Sequence, residues 1–277
     1  MGEKVLVIGL GEVGMPLYEI ASESQSEVYG YDVDPDLTIN QLDEIPDPSI
    51  LHIAFHCNSQ KQFLANIIEY VERLTPNMVF VHSSIPPLTT KMLQGKLSVP
   101  IIYSPIRGKH PNLKPHLKFW TKWCASYISE AIDSAKTHLT SLGFNVLTSP
   151  SPVTLEIAKL WETAYRAILI ACWQELHRIC NNLDADIGNV SEFIQEVNNT
   201  LKDRPVLYPD YIGGHCLIPN TELLKSVFDS KLLEFVLESN NKRLTEVKDQ
   251  KILDDLGKVK KTWMQNIPKW YYKDAIP

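Results

Sequence analysis

Val5-Leu6-Val7-Ile8-Gly9-Leu10-Gly11-Glu12-Val13-Gly14 is the stretch whose reading decides the fold. Four apolar residues in a row read as a strand buried on both faces, and the helical pattern from about Val13 to Ser24 follows at once. Between them Gly9, Gly11 and Gly14 meet the G-x-G-x-x-G spacing, with Leu10, Glu12 and Val13 filling it. The first glycine permits a tight turn, the second lets backbone approach a pyrophosphate, and the third lets helix and strand pack closely. The helix start then presents unpaired N–H groups and a positive dipole end to phosphates. Asp32 closes the next apolar run, where an acid accepts bonds from the adenosine ribose hydroxyls and disfavours a 2′-phosphate. The expected cofactor is therefore NAD rather than NADP.

Working outward, apolar runs at Glu27–Asp32, Ile50–His56, Met78–Ser83, Val99–Ser104 and Phe144–Thr148 alternate with helical patterns. Phe63, Ile67, Ile68, Val71 and Leu74 define one helix, and Glu130–Leu142, stopped by Gly143, another. That alternation predicts a Rossmann domain, a parallel sheet covered on both faces, over residues 1–149. At Ser149-Pro150-Ser151-Pro152 the texture changes. Val153 to about Leu183 is one helical pattern without Gly or Pro, and more helix is expected at Val190–Leu201 and Thr221–Leu237. Residues 150–277 are thus expected to form a mainly α-helical domain for substrate and dimer contact, ending in a charged tail. The long helix is apolar on more than one side, so a homodimer is expected.

Composition limits the function classes. The 277 residues are 44% hydrophobic and 22% charged, with a formal net charge of −6, which argues against a nucleic-acid or anionic-membrane partner. Lys258, Lys260 and Lys261 read as a solvated helix face. No apolar run approaches a membrane span. With a strand-like start no leader is expected, and Leu6 stands where a myristoylation signal following Gly2 wants Ser or Thr. Cys57, Cys124, Cys172, Cys180 and Cys216 have no paired spacing, so a cytoplasmic chain with free thiols is expected. No metal site is expected: His52, His56 and Cys57 do not share a strand face, and His177 with Cys180 has no further ligands nearby. Trp161 and Trp173 read as packing residues.

A second unusual string is Gly213-Gly214-His215-Cys216-Leu217-Ile218-Pro219-Asn220. Two glycines allow backbone to come close to a ligand and set a thiol on a turn, although a free thiol in a turn carries the same residues. Gly213–Pro219 resembles the G-G-[SH]-C-x-P signature of the UDP-glucose/GDP-mannose dehydrogenase family. Ser83-Ser84-Ile85-Pro86-Pro87-Leu88-Thr89-Thr90 is similar to its S-T-V-P-x-G-T-T, Ser104-Pro105-Ile106-Arg107 to S-P-E-R, and Ala158–Arg166 to A-K-L-x-E-N-x-[FY]-R. The likeness runs from Lys4 to about Leu237 and is nearest the UDP-N-acetylmannosamine form.

The resemblance implies NAD-dependent oxidation of a sugar nucleotide's C6 alcohol to a carboxylate. Cys216 matches the covalent thiol, and Lys159 the lysine that moves protons at the alcohol and the oxyanion. Thr163 and Asn220 occupy two further catalytic positions. Ser83 and Thr89 join the cofactor set, while Arg107, Arg204 and His215 are the substrate-binding candidates. Arg107, Lys109 and His110 read either as cationic or proton-transferring groups in place of the acid lost at Ile106 or as a solvated loop. Three departures matter: Ile106 replaces the family's Glu, Thr163 its Asn, and Asn220 its Asp with one residue fewer. These remove the obvious general bases for thioester hydrolysis. The family's third domain, which clamps the nucleotide of the substrate, is expected to be missing. Two alternatives stay open: a two-electron dehydrogenase of the β-hydroxyacid type relying on Lys159, and a non-catalytic NAD-binding protein.

Overall fold

The structure, a computed structural model, describes residues 3–24, 27–109 and 112–267. His110 and the residues beyond 267 lie outside them. The chain divides into two compact units that part between Lys159 and Leu160.

The first unit holds a seven-stranded sheet with strands β1 (Lys4–Ile8), β2 (Glu27–Tyr31), β3 (Ile50–Ile53), β4 (Met78–Val81), β5 (Ile101–Tyr103), β6 (Lys122–Ser126) and β7 (Val146–Thr148). Their spatial order is 2-1-3-4-5-6-7. Register pairs Val7 with His52 and His52 with Phe80 across the centre. Successive residues of a strand face opposite sides, so β3 splits cleanly. Leu51 and Ile53 join one core with Leu6, Ile8, Val79 and Val81, under the helix α2 (Gln60–Leu74). Ile50 joins the other core with Val5, Phe80 and Ile102. Helices α1 (Gly14–Ser24), α4 (Leu113–Phe119) and α5 (Ile132–Ser141) contribute Leu17, Leu117 and Leu139 to that second core.

The α/β class matches the sequence expectation, with one correction: β6 runs antiparallel to β5, so the sheet is mostly rather than wholly parallel. β6 and α4 were not expected at all. The strand opens with Lys122, which is buried, and a charged residue inside a strand defeats an apolar pattern. Short α3 (Thr89–Gln94) completes the unit.

Helix α6 (Pro152–Asn182) begins just after the last strand. In the second unit it is accompanied by α7 (Ile187–Leu201), α8 (Leu217–Lys225), α9 (Lys231–Glu246) and α10 (Gln250–Met264). Two expectations are corrected here. The segment Thr221–Leu237 is two helices separated after Lys225, and the charged tail is helical to Met264. In α10 Leu256 and Val259 are buried while Lys258 bridges Asp186 at 2.8 Å and Asp255 at 2.9 Å, so the basic residues form the outer face of an amphipathic helix. Lys260 lies over the Tyr208 ring. Trp173 is buried as expected, whereas Trp161 is exposed.

Candidate active site

One candidate site, in the sheet unit, is the turn after β1. A Cβ on Gly14 would lie 1.6 Å from the Gly9 carbonyl oxygen, and one on Gly9, whose φ is +90°, would lie 2.6 Å from the Phe55 nitrogen. Both positions therefore exclude any side chain. At Gly11 a Cβ would meet nothing within 4 Å, so this backbone faces open space, where a pyrophosphate would approach. Glu12 is exposed, and Val13 packs against the second core. Asp32 accepts a hydrogen bond from the Leu10 N–H at 2.6 Å and one from the Asp34 N–H at 2.9 Å. The acid thus ties the tip of β2 to the glycine turn. Each carboxylate oxygen keeps a second lone pair for a ribose hydroxyl.

Ser83 donates its hydroxyl proton to the Phe55 carbonyl at 2.6 Å. Thr89 is fully buried, donates to the Pro86 carbonyl and accepts from Gln60, so its side chain is committed to the protein. Between them Leu88 takes the glycine position of the motif and holds φ +74°. Its N–H donates to Glu156 at 2.6 Å, and Thr90 gives the same carboxyl a backbone and a hydroxyl bond. Glu156 was not singled out from the sequence. Burial pushes its carboxyl up, against these three donors, which lower it. Lys159 stands one helical turn further along α6 and is half-buried.

Arg107 donates to the Thr121 carbonyl at 2.6 Å and lies over the Trp120 ring, 5.2 Å from its centroid. Ile106, the residue in place of the family's Glu, is buried in the second core. The side chain is buried there, and an apolar group is favoured where an ionised carboxylate would cost heavily.

A second group of candidate residues lies in the helical unit. Cys216 caps the N-terminus of α8 and is half-buried; Gly214 before it holds φ +79°. A helix start favours thiolate over thiol. The Asn220 N–H donates to the Cys216 carbonyl at 3.0 Å, and the buried Asn220 side-chain amide donates to the Thr163 hydroxyl at 3.0 Å. Thr163 in turn donates to the Leu160 carbonyl. Thr163 and Asn220, 57 positions apart, are therefore one constellation joined to the cysteine turn. His215 is exposed. Arg204 is exposed and pairs with its neighbour Asp203. Among the described residues there is no group of three or more His, Cys, Asp or Glu able to hold a metal ion.

Residues 154–242 match the family model for the central domain of the UDP-glucose/GDP-mannose dehydrogenase family, which bears out the resemblance carried by the motifs. A UDP-N-acetyl-D-mannosamine dehydrogenase of Methanococcus maripaludis is 23% identical over 257 residues, covering 78% of this chain. The chain spans 59% of that relative's length. Among solved structures, the UDP-N-acetyl-mannosamine dehydrogenase Cap5O of Staphylococcus aureus superposes with a TM-score of 0.72 at 20% identity, covering 88% of this chain and 69% of that one. The 3-hydroxyisobutyrate dehydrogenase of Mycobacterium tuberculosis superposes with a TM-score of 0.64 at 12% identity, covering 94% and 99%. These likenesses place the fold among dehydrogenases.

The contact between Asn220 and Thr163 has a measurable consequence. In a double-mutant cycle of Thr163→Val and Asn220→Ala, urea unfolding should show a coupling of about 1 kcal/mol, the usual net value of a buried neutral hydrogen bond. Additive effects would mean that the two side chains do not meet.

Proposed function

We propose that the chain is an NAD-dependent oxidoreductase acting on the CH–OH group of a sugar nucleotide or a related sugar alcohol. The observation that carries this reading is the Cys216–Asn220–Thr163 constellation inside the matched central domain. The family's central helix supplies an amide at the position of Thr163; here Asn220 extends an amide to that same position from the other element. An amide is thus retained at that position although both residues differ from the family pattern, and such a donor would be suited to hold an oxyanion. NAD would be held by Gly9, Gly11, Glu12, Val13 and Gly14 at the phosphates and by Asp32 at the ribose, with Ser83 and Thr89 shaping the neighbouring loop. When bound, it would accept hydride. Lys159 would move the alcohol proton, and Cys216 would take the aldehyde as a thiohemiacetal. Arg107, Arg204 and His215 remain the candidates for substrate charge. The substrate for which the relatives are named makes UDP-N-acetyl-D-mannosamine the first compound to assay.

A second reading, oxidation by two electrons only, is favoured by buried Ile106 and by the near-complete coverage of 3-hydroxyisobutyrate dehydrogenase. A third, binding of NAD without turnover, keeps the same cofactor site. Counting NADH per substrate consumed separates them. We expect two with NAD and much weaker support of the reaction by NADP, because Asp32 repels a 2′-phosphate. One NADH would select the two-electron reading, and none, with NAD bound, the non-catalytic one.

We further propose a cytoplasmic homodimer. Among the described residues no helix is long and apolar enough to cross a membrane. Ile157, Trp161 and Tyr165, four apart on α6, are all exposed, a stripe that a second copy would cover. Light scattering should give twice the chain mass of 31.5 kDa, and Trp161→Glu should halve it. A monomer for the unmodified chain at micromolar concentration would refute the dimer.

A further inference from the structure

Three histidines from β3, the end of β4 and α5 meet inside the sheet unit. His52 Nδ1 lies 2.8 Å from His82 Nε2, and His52 Nε2 lies 3.0 Å from His138 Nε2. At one end His138 Nδ1 is 2.8 Å from Oε2 of Glu3, whose side chain is 46% exposed. At the other end His82 Nδ1 faces the Ser104 carbonyl at 2.7 Å and Lys122 Nζ at 3.2 Å. Lys122 also donates to the carbonyls of Ser104 and Pro105. All three rings and Lys122 are buried, and His52 stacks on Phe80. The ring nitrogens are within hydrogen-bonding distance of one another, so the rings are joined directly rather than through an ion.

Counting protons shows what such a chain can do. A neutral imidazole has one N–H and one lone pair. With Lys122 as an ammonium donating to His82 Nδ1, His82 donates from Nε2, His52 from Nε2, and His138 from Nδ1 to the Glu3 carboxylate. Each link from Lys122 to Glu3 then holds one proton, and the Ser104 carbonyl takes its hydrogen bond from Lys122 rather than from His82. With Lys122 as a neutral amine, His82 carries its proton on Nδ1 and gives it to the Ser104 carbonyl. His52 then donates from Nδ1 and His138 from Nε2. The two arrangements are related by moving one proton across each contact: Lys122 to His82, His82 to His52, His52 to His138, and His138 to Glu3. One proton leaves Lys122 and one arrives at Glu3, from which it passes to water. No ring need carry a net charge in either arrangement.

We propose that Lys122, His82, His52, His138 and Glu3 form a proton path through which buried Lys122 exchanges its proton with water. The electrostatics agree with it. Burial, reinforced by the mutual repulsion of the groups, drives His52 and His82 well below the ordinary imidazole range, so both stay neutral. Burial also lowers His138, against Glu3, which raises it. Lys122 is driven well below the ordinary lysine range by burial; Cys124 opposes this, and the charges of Lys159 and Arg107 add to it. Those last two are candidate site residues, and Lys122 sits on the Ser104-Pro105 carbonyls of the same motif. The path would set the charge of that corner from bulk pH without a water channel. Its use in alcohol oxidation, which releases a proton with each hydride removed, rests on the dehydrogenase reading; the path itself does not.

The test needs neither cofactor nor substrate. The full chain, labelled with 15N at histidine and lysine, is titrated from about pH 5 to 10 while ring-nitrogen and Nζ resonances are followed. The expected result is that all three rings exchange tautomer with one midpoint, that of Lys122, below the ordinary lysine range. In His52→Phe, His82 should still follow Lys122 while His138 no longer does. If that variant fails to fold, Lys122→Met serves instead, and His82 should then carry its proton on Nδ1 at every pH. Rings that hold fixed tautomers throughout the titration would overturn the path, as would a His138 that follows Lys122 undiminished in His52→Phe.

Discussion

The contact of Gly14 with the Gly9 carbonyl is the constraint on which the sheet unit rests. A Cβ there would lie 1.6 Å from that oxygen, so helix α1 can start only because no side chain intervenes. Asp32 closes the same turn from the neighbouring strand through the Leu10 N–H. Strand, turn, helix and acid are thereby fixed before any ligand arrives, and a cofactor would meet backbone that needs little ordering. Gly11 alone of the three glycines is left facing open space. Glycine thus serves packing at two positions and access at the third.

That much was legible because local pattern and tertiary role coincide. The apolar run, the glycine spacing and the acid all lie within 28 consecutive residues, from Val5 to Asp32. The pairing of Thr163 with Asn220 was only half legible: the motifs named both residues as departures, but not that they touch. Their contact is set by how α8 packs on α6 through Leu160, Ala164 and Leu224, which no local pattern encodes. β6 was hidden for a related reason. Its first residue is a lysine whose charge is accommodated by two carbonyls and a histidine brought from elsewhere in the sheet unit. Of the three histidines only His52 is read from the sequence, as one of a trio that builds no metal site, and His52 to His138 spans 86 positions. α10 was legible only in part: its lysines read as a solvated helix face, while the buried Leu256 and Val259 opposite them were not picked out.

The departures from the family pattern are not all of one kind. Ile106 is buried among apolar side chains, so the change from Glu fits the local packing and removes a carboxylate outright. Thr163 and Asn220 instead meet each other, the Asn220 amide donating to the Thr163 hydroxyl. Leu88 sits at positive φ where the motif has glycine, held by the bond from its N–H to Glu156. That conformation is strained for a bulky side chain, and such strain persists only where the surroundings over-determine it. Three donors converging on Glu156 supply that determination.

The central claim is that Cys216 is the covalent residue of a nucleotide-sugar oxidation. Intact-mass and peptide mass spectrometry on chain quenched during incubation with NAD and UDP-N-acetyl-D-mannosamine tests it most directly. The account predicts a sugar-nucleotide adduct on Cys216 and on none of the other four cysteines, absent when NAD is withheld. NADH formation with Cys216 unmodified, and undiminished in Cys216→Ala, would contradict it.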